Sequence, residues 1–271
     1  MRRVFYALGG GLGHVTRALH IAQREGSATD TWDILVSPQI RHWDVAVPSS
    51  VRLRVLPLEA ATNGDAARQW ALDFLTPTTA SFWLDAFPMG LFGEWKTLPD
   101  LPAHHTARLL QPGGWMRARG ERRFEETLVL EPLHTAHHAY LNHHSKTLRE
   151  VSIPAPSASP DTPHGTGYWL VVHSGPVSEV ETLLSHCPPQ ARIVVATDPG
   201  IPLPTTVERA TGSPGSWYSG AERIVTAAGF NTIRETTAYR SKQWIVPFPR
   251  RFDDQFQRAA TLRRAPVPRN P

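Results

Sequence analysis

Near the N-terminus, Gly9-Gly10-Gly11-Leu12-Gly13-His14 lies between an apolar run, residues 3–8, and a helical stretch, residues 15–25. Glycines allow close backbone approach, and a helix start offers unpaired N–H groups to an anion. Gly10, Gly11 and Gly13 are therefore candidate contacts for a phosphorylated ligand. A dinucleotide fingerprint would need a third glycine where His14 stands and an acid at the end of the second strand, which ends in Ser37. NAD is disfavoured on both counts. An imidazole at this place can take a proton from a hydroxyl nucleophile, or it can cap the loop by bonding backbone carbonyls. Asp85 falls at the C-terminal end of an apolar run, residues 81–87, and so is expected to face the same cleft as His14. It can orient that imidazole as a carboxylate does in hydrolytic triads, or cap the turn that follows. The apolar, Gly-bearing stretch 88–93 beside it suits an acceptor pocket or plain packing.

A second group of polar residues, His134, His137, His138, His143 and His144, has the i, i+3, i+4 spacing that one helical face could present to a metal. It lacks both a cysteine and the glutamate of the H-E-x-x-H pattern. A polar helix edge is expected there, and no metal site.

The elements that must position these groups follow from periodicity. In the first half, strands are expected at residues 3–8, 32–37, 51–56, 81–87, 107–111 and 126–130, with helices at 15–25 and near 65–75. Strands alternating with helices imply a parallel sheet covered on both faces. Residues 151–167 carry four prolines among small polar residues, which forbids a continuous helix or a central strand. A linker at 152–166 thus divides a domain at 1–151 from one at 167–271. In the second, the rhythm restarts with strands at 168–173, 192–197, 206–210, 223–227 and 243–246 and helices at 177–185, 231–239 and 253–263. Asn231 is expected to cap the middle helix, and Asp253 and Asp254 to favour the start of the last.

Within this second half, residues 221–235 run through Ala228-Gly229-Phe230-Asn231-Thr232 to Glu235, then Pro247-Phe248-Pro249, then Asp253-Asp254-Gln255. This succession resembles the C-terminal domain of GT-B glycosyltransferases of the MurG-like type, glycosyltransferase family 28. The resemblance covers three islands, residues 4–22, 169–180 and 221–260, and implies an α/β fold of two Rossmann-like domains whose parallel sheets face across a cleft. It implies that Glu235 binds the donor's ribose, that Asp254 and Gln255 contact the donor sugar, and that Gly229, Asn231 and Thr232 lie at the turn and helix start near the diphosphate. Ser174 and Gly175 match the family's Gly-Gly-Ser turn, with His173 in place of one glycine. His14 matches the histidine at the end of the family's Gly-rich loop. Arg258 departs from the family's Asn, and a Pro-rich tail after Arg264 stands where a terminal helix is usual.

The implied activity is inverting, metal-independent transfer of a sugar from a nucleotide-linked donor, UDP-linked by the resemblance, to an acceptor hydroxyl activated by His14. No cofactor is expected beyond that donor substrate. The acceptor, a glycan, a lipid-linked precursor or a small molecule, cannot be read from the residues. Arg234, Arg250 and Arg251 could neutralise the leaving diphosphate or merely solvate the surface. Two rival readings share the architecture: a nucleotide-sugar 2-epimerase, against which the lack of an acidic cluster in the N-terminal half counts, and a non-catalytic sugar-nucleotide binding protein.

Composition narrows the remaining classes. With 41% apolar and 19% charged residues over 271 positions, the chain has the balance of a globular protein. Its single cysteine, Cys187, cannot form an internal disulfide, as is normal in a reducing compartment. With no export signal or span of about 18 apolar residues, a cytoplasmic protein is expected, with peripheral contact at the inner membrane face left open. Lysine occurs only at Lys96, Lys146 and Lys242, so the net charge of +4 rests on arginine. No basic run, zinc-finger spacing or RNA-binding aromatic motif points to nucleic acid.

Overall fold

The structure, a computed structural model, describes all residues except 10–11, 43–45, 118–119, 121, 156–160 and 265–271. The chain divides into two compact units, Met1–Ile153 and Pro154–Pro271. Both are α/β units with wholly parallel sheets, the architecture that alternating strands and helices imply.

In the first unit the elements run β1 (Arg2–Ala7), α1 (Leu12–Glu25), β2 (Thr31–Val36), β3 (Val51–Val55), α2 (Gly64–Leu72), β4 (Thr79–Asp85), β5 (Ala103–Ala107), β6 (Phe124–Val129), α3 (Thr135–His144) and β7 (Ser145–Glu150). The sheet order is β3-β2-β1-β4-β5-β6-β7. Alternation along the central strands sorts the core onto two faces: Phe5 meets Trp32 and Trp83, while its neighbour Tyr6 meets Phe82 and Trp95. All these rings are buried, so the strands read as nearly continuous apolar runs. The order reverses between β1 and β4, and at such a switch point the loops leaving the two strands diverge and open a crevice.

The second unit contains β8 (Tyr168–Val172), α4 (Val177–Leu184), β9 (Ile193–Ala196), β10 (Glu208–Arg209), β11 (Ala221–Ala227), α5 (Phe230–Glu235), β12 (Gln243–Val246) and α6 (Gln255–Arg264), in sheet order β10-β9-β8-β11-β12. Tyr168, Leu170, Val194 and Ile224 pack on one face, and Val171, Val195 and Val225 on the other. Its switch point lies between β8 and β11.

Several expectations need correction. The strand expected at 107–111 is β5, four residues earlier, because His104, His105 and Thr106 line a strand whose polar atoms find partners inside the unit or stack on rings. The helix expected through residue 239 ends at Glu235. Thr236 and Thr237 turn their hydroxyls back onto the Thr232 and Ile233 carbonyls, and a short 3₁₀ segment, Thr237–Lys242, follows. Gly229, rather than Asn231, occupies the N-cap of α5, and Asn231 lies inside the helix. The His-rich stretch is not a polar edge: His137, Tyr140, Leu141 and His144, at i, i+3, i+4 and i+7, form the buried face of α3, while His138 and His143 are exposed. The strand β7 after it went unread, since Ser145–Glu150 carries three charged residues and a single large apolar one. Part of the expected linker, residues 156–160, lies outside the described residues, as does the Pro-rich tail from residue 265.

Candidate functional site

In the first unit the switch point brings together residues far apart in sequence. His14 stands in the first turn of α1, with Arg17 three residues on, so both project from one helix face. Asp85 is the last residue of β4, the neighbour of β1 across the switch. His14 Nδ1 lies 2.6 Å from Asp85 Oδ2. Arg17 grips the same carboxylate with two hydrogen bonds, Nε to Oδ1 at 3.1 Å and NH2 to Oδ2 at 2.6 Å. Thr106, opposite Asp85 on β5, donates its hydroxyl to Oδ1 at 2.6 Å. All four side chains are buried.

The electrostatics follow from that packing. Burial alone would raise the Asp85 carboxyl, but the Arg17 guanidinium and the contact with His14 outweigh it and hold Asp85 well below the usual carboxylate range. Burial pushes the His14 imidazole below its ordinary value, against the pull of Asp85, and the charges of Arg17 and Arg108 push the same way. At neutral pH the site therefore holds an ionised carboxylate, a guanidinium and a neutral imidazole. With Nδ1 turned to the carboxylate, Nε2 is the basic atom.

Two backbone features shape this site. A Cβ on Gly9 would fall 2.1 Å from His14 Nε2, so only glycine leaves room for the imidazole there. Gly9 N is held by Ser37 Oγ at the end of β2. Ala86, directly after Asp85 and fully buried, has φ of 66°. The hydrogen bond from Phe87 N to Asp85 O at 2.8 Å closes a three-residue turn around it, the strained γ-turn type. Such strain in a buried non-glycine residue persists only where its surroundings enforce it, and it clusters at functional sites. Beyond this turn, Glu94 braces the 88–93 stretch. It accepts from Tyr6 Oη at 2.7 Å and from Phe92 N at 2.8 Å, leaving the Phe92 ring half exposed.

The second unit repeats the device at its own switch point. His173, just after β8, bonds Glu179 of α4 through Nε2 at 2.7 Å, and Arg250 clamps Glu179 with both terminal nitrogens at 2.5 Å. A Cβ on Gly175 would fall 2.3 Å from His173 Nε2. Ser174 beside it is exposed. Arg250 is thus committed to an ion pair that ties the β12–α6 loop to α4, a role neither sequence alternative included.

The other expected donor residues cluster around β11, β12 and the starts of α5 and α6. Gly229, Asn231 and Thr232 are half-buried at the beginning of α5. Glu235 ends that helix and accepts from Arg234 NH2 at 3.2 Å. Its burial raises the carboxyl above the ordinary value despite the adjacent guanidinium. Asp254 caps α6 by accepting from Gln257 N at 2.9 Å. Gln255 is buried, and its Oε1 accepts from Phe248 N, which ties the start of α6 to the segment after β12. Arg258, the departure from the family pattern, is buried in a bidentate pair with Asp253 and donates to Ala228 O at 2.8 Å. It therefore stitches the turn before α5 to the start of α6. Gly10 and Gly11 lie outside the described residues, and Gly13 sits in the first turn of α1.

Among the described residues, no three His, Cys, Asp or Glu side chains are gathered so as to hold a metal, and no helix is long and apolar enough to cross a membrane. Sequence reasoning missed Arg17 and Thr106. The i, i+3 spacing from His14 was a legible signal for Arg17, whereas only the β4–β5 register identifies Thr106.

No protein-family model matches the sequence, and no curated protein matches it. Solved structures do match its fold. The calicheamicin glycosyltransferase CalG4 superposes with TM-score 0.57 at 15% identity, over 92% of this chain and 80% of its own. The spinosyn rhamnosyltransferase SpnG complexed with thymidine diphosphate gives 0.58 at 13% identity, over 95% and 83%. SnogD from Streptomyces nogalater, also a glycosyltransferase, gives 0.54 at 14% identity, over 96% and 84%. With its paired parallel sheets, the chain has the fold of the GT-B glycosyltransferases.

Proposed function

We propose that this protein is a glycosyltransferase that moves a sugar from a nucleoside-diphosphate sugar, UDP-linked, to an acceptor hydroxyl, with inversion and without a metal. The observation that carries this reading is the buried contact of His14 with Asp85 at the switch point of the first sheet. A neutral imidazole backed by an ionised carboxylate is the arrangement a general base requires. The neighbours add weight: they are glycosyltransferases, and one of them, SpnG, was captured with thymidine diphosphate.

In this mechanism the acceptor O–H gives its proton to His14 Nε2 as its oxygen attacks the anomeric carbon. The bond from that carbon to the diphosphate breaks, and the nucleoside diphosphate departs with the electron pair. Asp85 holds the imidazole in orientation and stabilises the imidazolium that forms. In the second unit, Ser174, Gly175, Gly229, Asn231 and Thr232 supply hydroxyl, amide and backbone donors for the diphosphate. Glu235 accepts the ribose hydroxyl protons, and Asp254 and Gln255 frame the sugar.

The test is calorimetric titration of the protein with UDP, GDP, dTDP and NAD, repeated on Glu235→Ala, with product analysis of any turnover. Binding of one nucleoside diphosphate that Glu235→Ala weakens at least tenfold is expected, together with loss of transfer in His14→Ala. Binding of NAD alone would overturn the donor assignment. An epimerised nucleotide sugar as product would transfer the site to the epimerase reading, and binding without turnover across donors and acceptors to a binding protein.

A further inference from the structure

The first unit buries the Arg17 guanidinium on the carboxylate that His14 faces, and the proposed general-base role leaves its purpose unexplained. We propose that Arg17 is a positioning residue for His14: by its two-pronged hold on Asp85, shared with Thr106, it fixes the carboxylate against His14 Nδ1 and keeps the imidazole neutral. This rests on the reading of His14 as the base.

The argument is one of charge and geometry. Arg17 and Asp85 are each at most 4% exposed, so neither charge is relieved by water. The two cancel as a fork-to-carboxylate pair, with Thr106 taking a further lone pair of Oδ1. The charged groups that face His14 are Asp85 from β4, Arg17 from its own helix, and Arg108 just past β5. Without Arg17, the buried carboxylate would have His14 as its nearest counter-charge, and the imidazole would be drawn to the protonated state, useless as a base. The same pair fixes position. Two parallel N–H···O bonds define the carboxylate plane, and Asp85 is additionally held by the Ala86 turn behind it. An arginine at the third position after the histidine reaches Asp85 because i and i+3 share a helix face.

The experiment follows the His14 ring by proton–nitrogen NMR as a function of pH in the full-length protein, beside kcat/KM for transfer. In the wild type His14 is expected to titrate below 6.5. In Arg17→Met and Arg17→Gln its midpoint should rise by about one unit or more, and the acid limb of kcat/KM should move up with it. Arg17→Lys keeps the charge and loses the fork, so its midpoint should stay low while kcat falls. Nucleoside-diphosphate affinity should be unchanged in all three. A wild-type midpoint at or above 6.5 overturns the proposal even if no variant folds, as does an unchanged midpoint in Arg17→Gln. Wild-type transfer in His14→Ala would instead refute the base assignment, while the NMR titration would still read the Arg17 effect by itself.

Discussion

Acidification should destabilise the first unit through two histidines that take no part in the proposed chemistry. His105 on β5 and His137 on α3 are both fully buried. Burial lowers His105 to about 4, against the opposing effects of its bond to the Ala86 backbone and of Asp85, with His144 adding to the lowering. His137 falls to about 3, chiefly by burial, with His105, His134, His138 and Arg108 contributing in the same direction. Because the folded values lie below the unfolded value of about 6.5, the fold keeps its full stability above pH 6.5 and loses it as the pH falls towards the folded values. Each unit of pH below 6.5 costs about 1.4 kcal/mol per histidine until its folded value is reached. At pH 5 that amounts to about 2 kcal/mol each and about 4 kcal/mol together, a large share of the roughly 5–15 kcal/mol that stabilises a typical domain. Urea titrations at pH 7.5, 6 and 5, followed by tryptophan fluorescence, would measure it. Trp115, edge-on to His137 at 4.9 Å, reports this region. His137→Leu should recover about 2 kcal/mol at pH 5, the share that its own titration costs. Equal pH dependence in wild type and His137→Leu, or no change in stability between pH 7.5 and 5, would refute the reasoning.

Gly9→Ala should displace the His14 ring, since the new Cβ would lie 2.1 Å from Nε2. Transfer is expected to drop by about 10²-fold or more with the circular-dichroism spectrum retained, the range seen when a general base is lost. Ala86→Gly should relieve the left-handed strain and stabilise the protein by up to about 1 kcal/mol in a thermal melt, whereas Ala86→Val should destabilise it. Arg258→Leu removes the bidentate partner of Asp253 and the donor to Ala228 O. It should cost about 3 kcal/mol by urea denaturation, and nucleotide affinity should fall as the turn before α5 loosens.

How much of this was legible in advance depends on whether a feature is local. The alternation of apolar runs with amphipathic stretches is a local property, and it was enough to expect two parallel-sheet halves. The Gly-rich turn, His14 and Asp85 could be singled out for the same reason, since a glycine run before a helix and an acid ending a strand are written in consecutive residues. Misreadings arose where long-range packing overrode local pattern. Polar His104-His105-Thr106 became the strand β5 because a neighbouring carboxylate, hydroxyl and aromatic rings received those side chains. The histidines of α3 had the buried-face period all along, but their polarity argued for solvent until the packed unit showed them against Trp115 and Tyr140.

Tertiary structure alone decided which chemically capable residues meet. Residues 14, 17, 85 and 106 converge because β1, β4 and β5 lie side by side at the reversal of strand order, and strand order is set by how whole elements cover one another, not by any short window. The same holds for Arg250 and Arg258, whose residue types suit ligand contact but whose partners are Glu179 and Asp253. Residue type and spacing determined what each side chain can do, and the fold determined which of them are already occupied, because a buried charge or amide must find its partner inside the molecule.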